Sequence, residues 1–142
     1  MLRRLLLLVA LMLAPPAHAV PDTEALRALV EARIAEAAGP GLLDVESFRR
    51  MGQAPDPAGG ARIAYFAARL RLARDHAFGD WDGRNLQALA AALGAAPRAI
   101  TGARREGNRA GDILRVNGAL RLRQEAGRWV PLAPAAWDEA PP

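Results

Sequence analysis

The chain has 142 residues, no cysteine and a formal charge of +4, and all 19 of its basic residues are arginine. Disulfide staples, thiol nucleophiles, lysine Schiff bases, lysine-dependent phosphate loops and the usual Cys/His structural zinc sites are therefore excluded. The arginines alternate with Asp and Glu instead of forming a one-signed cluster, so nucleic acid is not an expected partner, and the pI of about 11.1 reflects guanidinium pKa more than a large net field.

Arg3 and Arg4 precede an apolar run from Leu5 to Ala14, then Pro15-Pro16 and the small-residue pattern Ala17-His18-Ala19. A charged start, a short apolar stretch and an A-x-A site predict a secretory signal peptide over residues 1–19, cleaved after Ala19. The run is too short for the ~20 residues that span a bilayer, and every later apolar run is interrupted. A periplasmic or secreted protein with no membrane contact after cleavage is the expectation. The mature chain keeps 17 basic residues (19 less Arg3 and Arg4) against 15 acidic ones. Its remaining length suits one domain over residues 20–133, followed by a Pro-rich tail at 134–142 expected to be disordered.

Along residues 22–38, Leu26, Leu29, Val30 and Ile34 recur at three- and four-residue steps, which predicts an amphipathic helix capped by Asp22 and ended by Gly39-Pro40. Residues 42–51 read as an imperfect strand, with Leu43, Val45 and Ser47 opposed to Asp44, Glu46 and Phe48, and with a bulge or an early end. Pro and Gly mark 53–60 as a loop. Residues 62–73 alternate cleanly, Phe66, Ala68, Leu70 and Leu72 against Tyr65, Ala67, Arg69 and Arg71, as a strand with one wet face does. A polar loop at 75–83 leads into a short helix at 84–93, capped by Asp82. A short strand is predicted at 98–104. Asn117-Gly118 has the composition of a hairpin turn, but a turn there would scramble the alternation of Leu114, Val116, Leu120 and Leu122. Residues 112–123 are therefore one strand, which turns at 125–127 into a last strand at 128–132. The fold class is α+β: a long N-terminal helix packed on a curved antiparallel sheet of about five strands, with a second short helix and a closing three-strand meander.

This order of elements, with Gly111-Asp112 opening a long strand and Gly127-Arg128-Trp129 turning into the last one, resembles small exported proteins of the cystatin-like or NTF2-like α+β class. The resemblance implies a cone-shaped cavity between helix and sheet, used in that class as a ligand pocket, an active site or an oligomer interface such as a homodimer contact.

Reactive side chains are scarce. After residue 19 the chain has one Ser (Ser47), two Thr, one Tyr and one His (His76). Ser47 lacks the Gly-x-Ser-x-Gly elbow of a serine nucleophile. The densest polar cluster is Asp75, His76, Asp80 and Asp82, where a histidine beside carboxylates would serve as a general base or hold a divalent cation, against the plainer reading of a solvated loop that caps a helix. Counting a calcium loop back from Gly83 puts Leu89 where an acid is required, so no metal is expected, nor any cofactor. Arg69, Arg71, Arg115, Arg121 and Arg123 would form a basic stripe for an anionic ligand or an acidic partner if their strands are neighbours, or would merely keep the outer face wet. Trp81 and Trp129 read as packing residues, while Trp137 lies in the tail. The leading expectation is a non-enzymatic exported binding or accessory module engaging a small ligand or another exported protein. The alternatives are a small NTF2-like enzyme using His76 with Asp75, Asp80 or Asp82, and an interaction protein that docks a transporter component.

Overall fold

The computed structural model describes residues 21–78 and 84–132. The expected signal peptide, the tail, Asp80, Asp82, Trp81 and Trp137 lie outside them. The architecture is α+β, a five-strand antiparallel sheet with two helices. None of the described helices is long and apolar enough to cross a membrane.

Helix α1 (Thr23–Ala38) begins where the Asp22 carboxylate accepts a hydrogen bond from Ala25 N at 2.8 Å, and ends where Gly39 donates its N–H to Ala35 O. Leu26, Val30 and Ile34, four residues apart, form its buried stripe. Strands β1 (Leu43–Pro55), β2 (Arg62–Leu72), β4 (Ile113–Glu125) and the two-residue β3 (Ile100–Thr101) lie in the order β1-β2-β4-β3. Strand β5 (Arg128–Pro131) also pairs with β4, and α2 (Arg84–Ala92) stands between β2 and β3 in the chain. The core is the inner face of the sheet, with Phe66, Leu70, Leu114 and Leu122 buried together with α1 and with Leu89 and Leu93.

Three sequence expectations need correction. First, β1 runs on through residues 53–55, expected in a loop, because the hairpin closes only at Asp56, whose N–H donates to Ala61 O while its carboxylate accepts from Ala58 N. Second, residues 98–104 do not form a strand of that length. A 3-10 turn (Pro97–Ala99) precedes β3, and the side chain of Asn108 occupies the Gly102 carbonyl and the Arg104 N–H, groups that a longer strand would have used in its ladder. Third, β3, β4 and β5 are not a meander. Both short strands pair with the same edge of β4, β3 at residues 115–116 and β5 at residues 122–125, because β2 occupies the other edge.

The stretch of that edge between β3 and β5 is taken by the end of the second helical segment: Ala119 donates its N–H to Leu93 O at 2.9 Å. This contact requires two glycines. A Cβ on Gly118 would lie 2.4 Å from Leu93 O and 2.5 Å from the Phe66 ring, and one on Gly94, at φ +58°, would lie 1.9 Å from Ala119 O. Asn117-Gly118 is accordingly mid-strand, and the glycine is there for close approach.

Candidate functional site

Outward-facing side chains follow from the register. One row across the sheet is Ser47, Arg69, Arg115 and Thr101; the next is Arg49, Ala67 and Asn117; the third is Gly52, Tyr65 and Ala119. The first two rows, apart from Thr101, line a groove of about 450 Å³ on the outer face, opposite the one that α1 covers. Ala67 is its floor, and its rims carry three guanidinium groups, a hydroxyl and an amide.

The composition of this groove depends on a bulge in β1. Glu46 is the extra residue between Val45, opposite Leu70, and Ser47, opposite Arg69. It shifts the alternation by one position, so Phe48 turns inward and stacks on Phe66 with ring centroids 5.4 Å apart, while Ser47 and Arg49 turn outward. The imperfect alternation read from the sequence grouped Ser47 with Leu43 and Val45 and Phe48 with Asp44 and Glu46; the bulge expected in this strand falls at Glu46 and exchanges the faces of Ser47 and Phe48. Arg49 was missed for the same reason: its side depends on which residue bulges, and the signal available was the break in pattern at Val45-Glu46-Ser47.

The five-arginine stripe does not act as a unit. Arg69 and Arg115 are direct cross-strand partners. Glu46 takes Arg71 in a hydrogen-bonded ion pair and reaches Arg69 at 3.7 Å. Arg121 is held by Asp56, with Nε and Nη2 both 2.7 Å from the same carboxylate oxygen. Arg123 is drawn to Glu125 at 3.7 Å. Neither Arg49 nor Arg115 has an ion-pair partner among the described residues. The site that remains is therefore Arg49, Arg69 and Arg115 with Ser47 and Asn117, and not the whole stripe.

The Asp56 side chain is 6 % exposed, and its carboxyl is held below its ordinary value of 3.8, first by the Ala58 N–H and then by Arg121. This pair closes the far end of the outer face and leaves Arg121 unable to join the groove.

The His76 cluster is organised by a different residue. His76 exchanges two backbone hydrogen bonds with Asn108, and its ring packs edge-on against Phe78 at 4.8 Å. Asp75 accepts from Ala110 N at 2.9 Å. Asn108, 3 % exposed, also hydrogen-bonds Asp112, whose carboxyl is lowered first by the Arg109 N–H. These bonds fasten residues 102–112 to the chain leaving β2. Among the described residues, no three His, Asp or Glu side chains are grouped to hold a metal ion.

No protein-family model matches the chain, and no curated protein or solved structure matches it.

Proposed function

We propose that the protein is an exported binding module that captures an anionic group on the outer face of its sheet, between Arg49, Arg69 and Arg115. The observation that carries this reading is the direct opposition of Arg69 and Arg115. Like charges facing one another across two strands cost stability, about 0.2–1 kcal/mol on the scale of cross-strand pairs, and among the described residues no ion-pair partner recovers that cost at Arg115. A bound carboxylate, sulfate or phosphate would recover it by accepting charge-assisted hydrogen bonds from two planar guanidinium forks, with Ser47 and Asn117 as neutral donors beside them. Catalysis is not part of this reading, because the described residues that line the groove supply donors and cations and include no His, Asp or Glu.

The test is an NMR titration of the uniformly 15N-labelled protein with sulfate and with acetate. Saturable shifts should concentrate at Ser47, Arg49, Arg69, Arg115 and Asn117 and disappear in Arg115→Gln. Shifts scattered over all arginines, or unchanged in that variant, would refute the site. Export is tested separately by mass spectrometry of the expressed protein, which should begin at Val20.

A further inference from the structure

We infer that the ligand is an amphipathic carboxylate, its head in the arginine groove and its apolar body lying along Ala67 toward Tyr65; this rests on the anion-binding reading above. The two large hydrophobic side chains that the described surface leaves exposed are Tyr65, at 42 %, and Met51, at 53 %. They are neighbours in the register. Tyr65 faces outward one row beyond Ala67, and Met51 is the extra residue of the second β1 bulge, between Arg50, opposite Phe66, and Gly52, opposite Tyr65. Scattered exposed apolar residues need no explanation, but a pair beside a cationic groove gives a surface with two chemistries in sequence.

The spacing decides the shape of the ligand. Successive outward rows are two residues apart, about 7 Å along the strand, so the row of Arg69 and Arg115 lies about 14 Å from the row of Tyr65. Between them are Ala67, a floor without height, and Arg49 and Asn117 at its sides. A compact anion such as sulfate reaches only the first part. With its head between the Arg69–Arg115 row and Arg49, about half a row spacing nearer Tyr65, a carboxylate with an extended body of about eight carbons, roughly 9 Å long, lies on Ala67 and reaches the Tyr65 ring. A small floor residue here makes a channel, where a Val or Leu would fill it.

The experiment compares acetate, butanoate, hexanoate and octanoate binding to the full-length protein by isothermal titration calorimetry, with 1-octanol as the uncharged control. Affinity should rise about 2-fold per added methylene, the increment for a CH2 about half removed from water. Tyr65→Ser should flatten that rise while leaving acetate binding within 2-fold, and Arg49→Gln or Arg115→Gln should weaken every acid in the series at least 5-fold. All three positions are on the exposed face, and circular dichroism verifies that the variants are folded. Equal affinity for acetate and octanoate would overturn the inference and leave the anion site standing. Octanol binding as tightly as octanoate, or octanoate binding that survives both arginine variants, would overturn it as non-specific adsorption. Failure of every acid to bind would overturn the inference, and would remove the anion site with it if sulfate also failed to bind.

Discussion

Arg69 and Arg115 face each other across β2 and β4, Cβ atoms about 5 Å apart by the geometry of paired strands, with the Glu46 carboxylate 3.7 Å from Arg69 and no ion-pair partner for Arg115 among the described residues. Removing one member should therefore help the empty protein. Arg115→Gln is expected to raise stability by about 0.2–1 kcal/mol in low-salt buffer, and to abolish the additional stabilisation that sulfate gives the wild type. Urea denaturation with and without sulfate measures both. A variant less stable than wild type in the absence of anion would show that Arg115 makes favourable contacts in the unliganded fold.

The acid sensitivity of the fold should reside in Asp56 and Asp112. Both carboxyls sit below their ordinary 3.8, Asp56 chiefly through the Ala58 N–H and then Arg121, Asp112 chiefly through the Arg109 N–H. The unfolded chain therefore binds protons more readily than the folded one. Their contribution is complete above about pH 4 and is lost as the pH falls through the two folded-state values. Melting temperature should be level between pH 5 and 7 on their account and decline below 4. Asp56→Asn should shrink the decline and cost about 1.5 kcal/mol at pH 7, since Arg121 is partly solvated. A Tm profile across pH 2.5–7 for wild type and variant decides it.

Gly118 is expected to be intolerant of the smallest addition. In Gly118→Ala the new methyl meets the Leu93 carbonyl at 2.4 Å and the Phe66 ring at 2.5 Å, and one of the two must move. A loss of about 1–3 kcal/mol follows from overpacking of this kind. Gly94→Ala should cost more, because it adds left-handed backbone strain to a backbone contact of 1.9 Å. Chemical denaturation of the two variants should rank them in that order.

Asn108 should matter more than the histidine beside it. Asn108→Ala strands the Gly102 carbonyl and the Arg104 N–H that its amide satisfies, at about 1–3 kcal/mol. His76→Ala leaves the backbone pair with Asn108 intact and loses only a ring-edge contact with Phe78. Thermal melts should show a large drop for the first and a small one for the second, and hydrogen exchange at residues 102–112 should accelerate only in Asn108→Ala.

Elements that repeat at the period of their own structure were readable from the sequence. Helix α1 was legible with its cap, since Asp22 and Gly39 are the residues that helix ends require, and the faces of β2 and β4 were legible because their alternation is unbroken over ten positions. The decision against a turn at Asn117-Gly118 follows from the same alternation. What escaped were features fixed by a partner elsewhere in the chain. Arg49 points outward only because Glu46 bulges against Arg69, and β3 stops at Thr101 because Asn108, seven residues on, takes its hydrogen bonds. The arginine stripe was named as a set of five. Which members stay free depended on Asp56, a loop carboxylate 65 positions from Arg121.

The interruptions in β1 have a consequence for how this molecule meets its own copies. Among the described residues no strand lies on its far side, which leaves a thirteen-residue border of the sheet without a neighbour. An intruding chain would find a regular ladder there only in the short runs Leu43–Val45, Ser47–Arg50 and Gly52–Pro55, because the inserted residues Glu46 and Met51 throw the spacing of N–H and C=O groups out of step between them. Just before that stretch, the Arg27 guanidinium already occupies the Val45 carbonyl. Edge-to-edge stacking along this border is thereby discouraged by the same irregularity that turns Arg49 toward the groove.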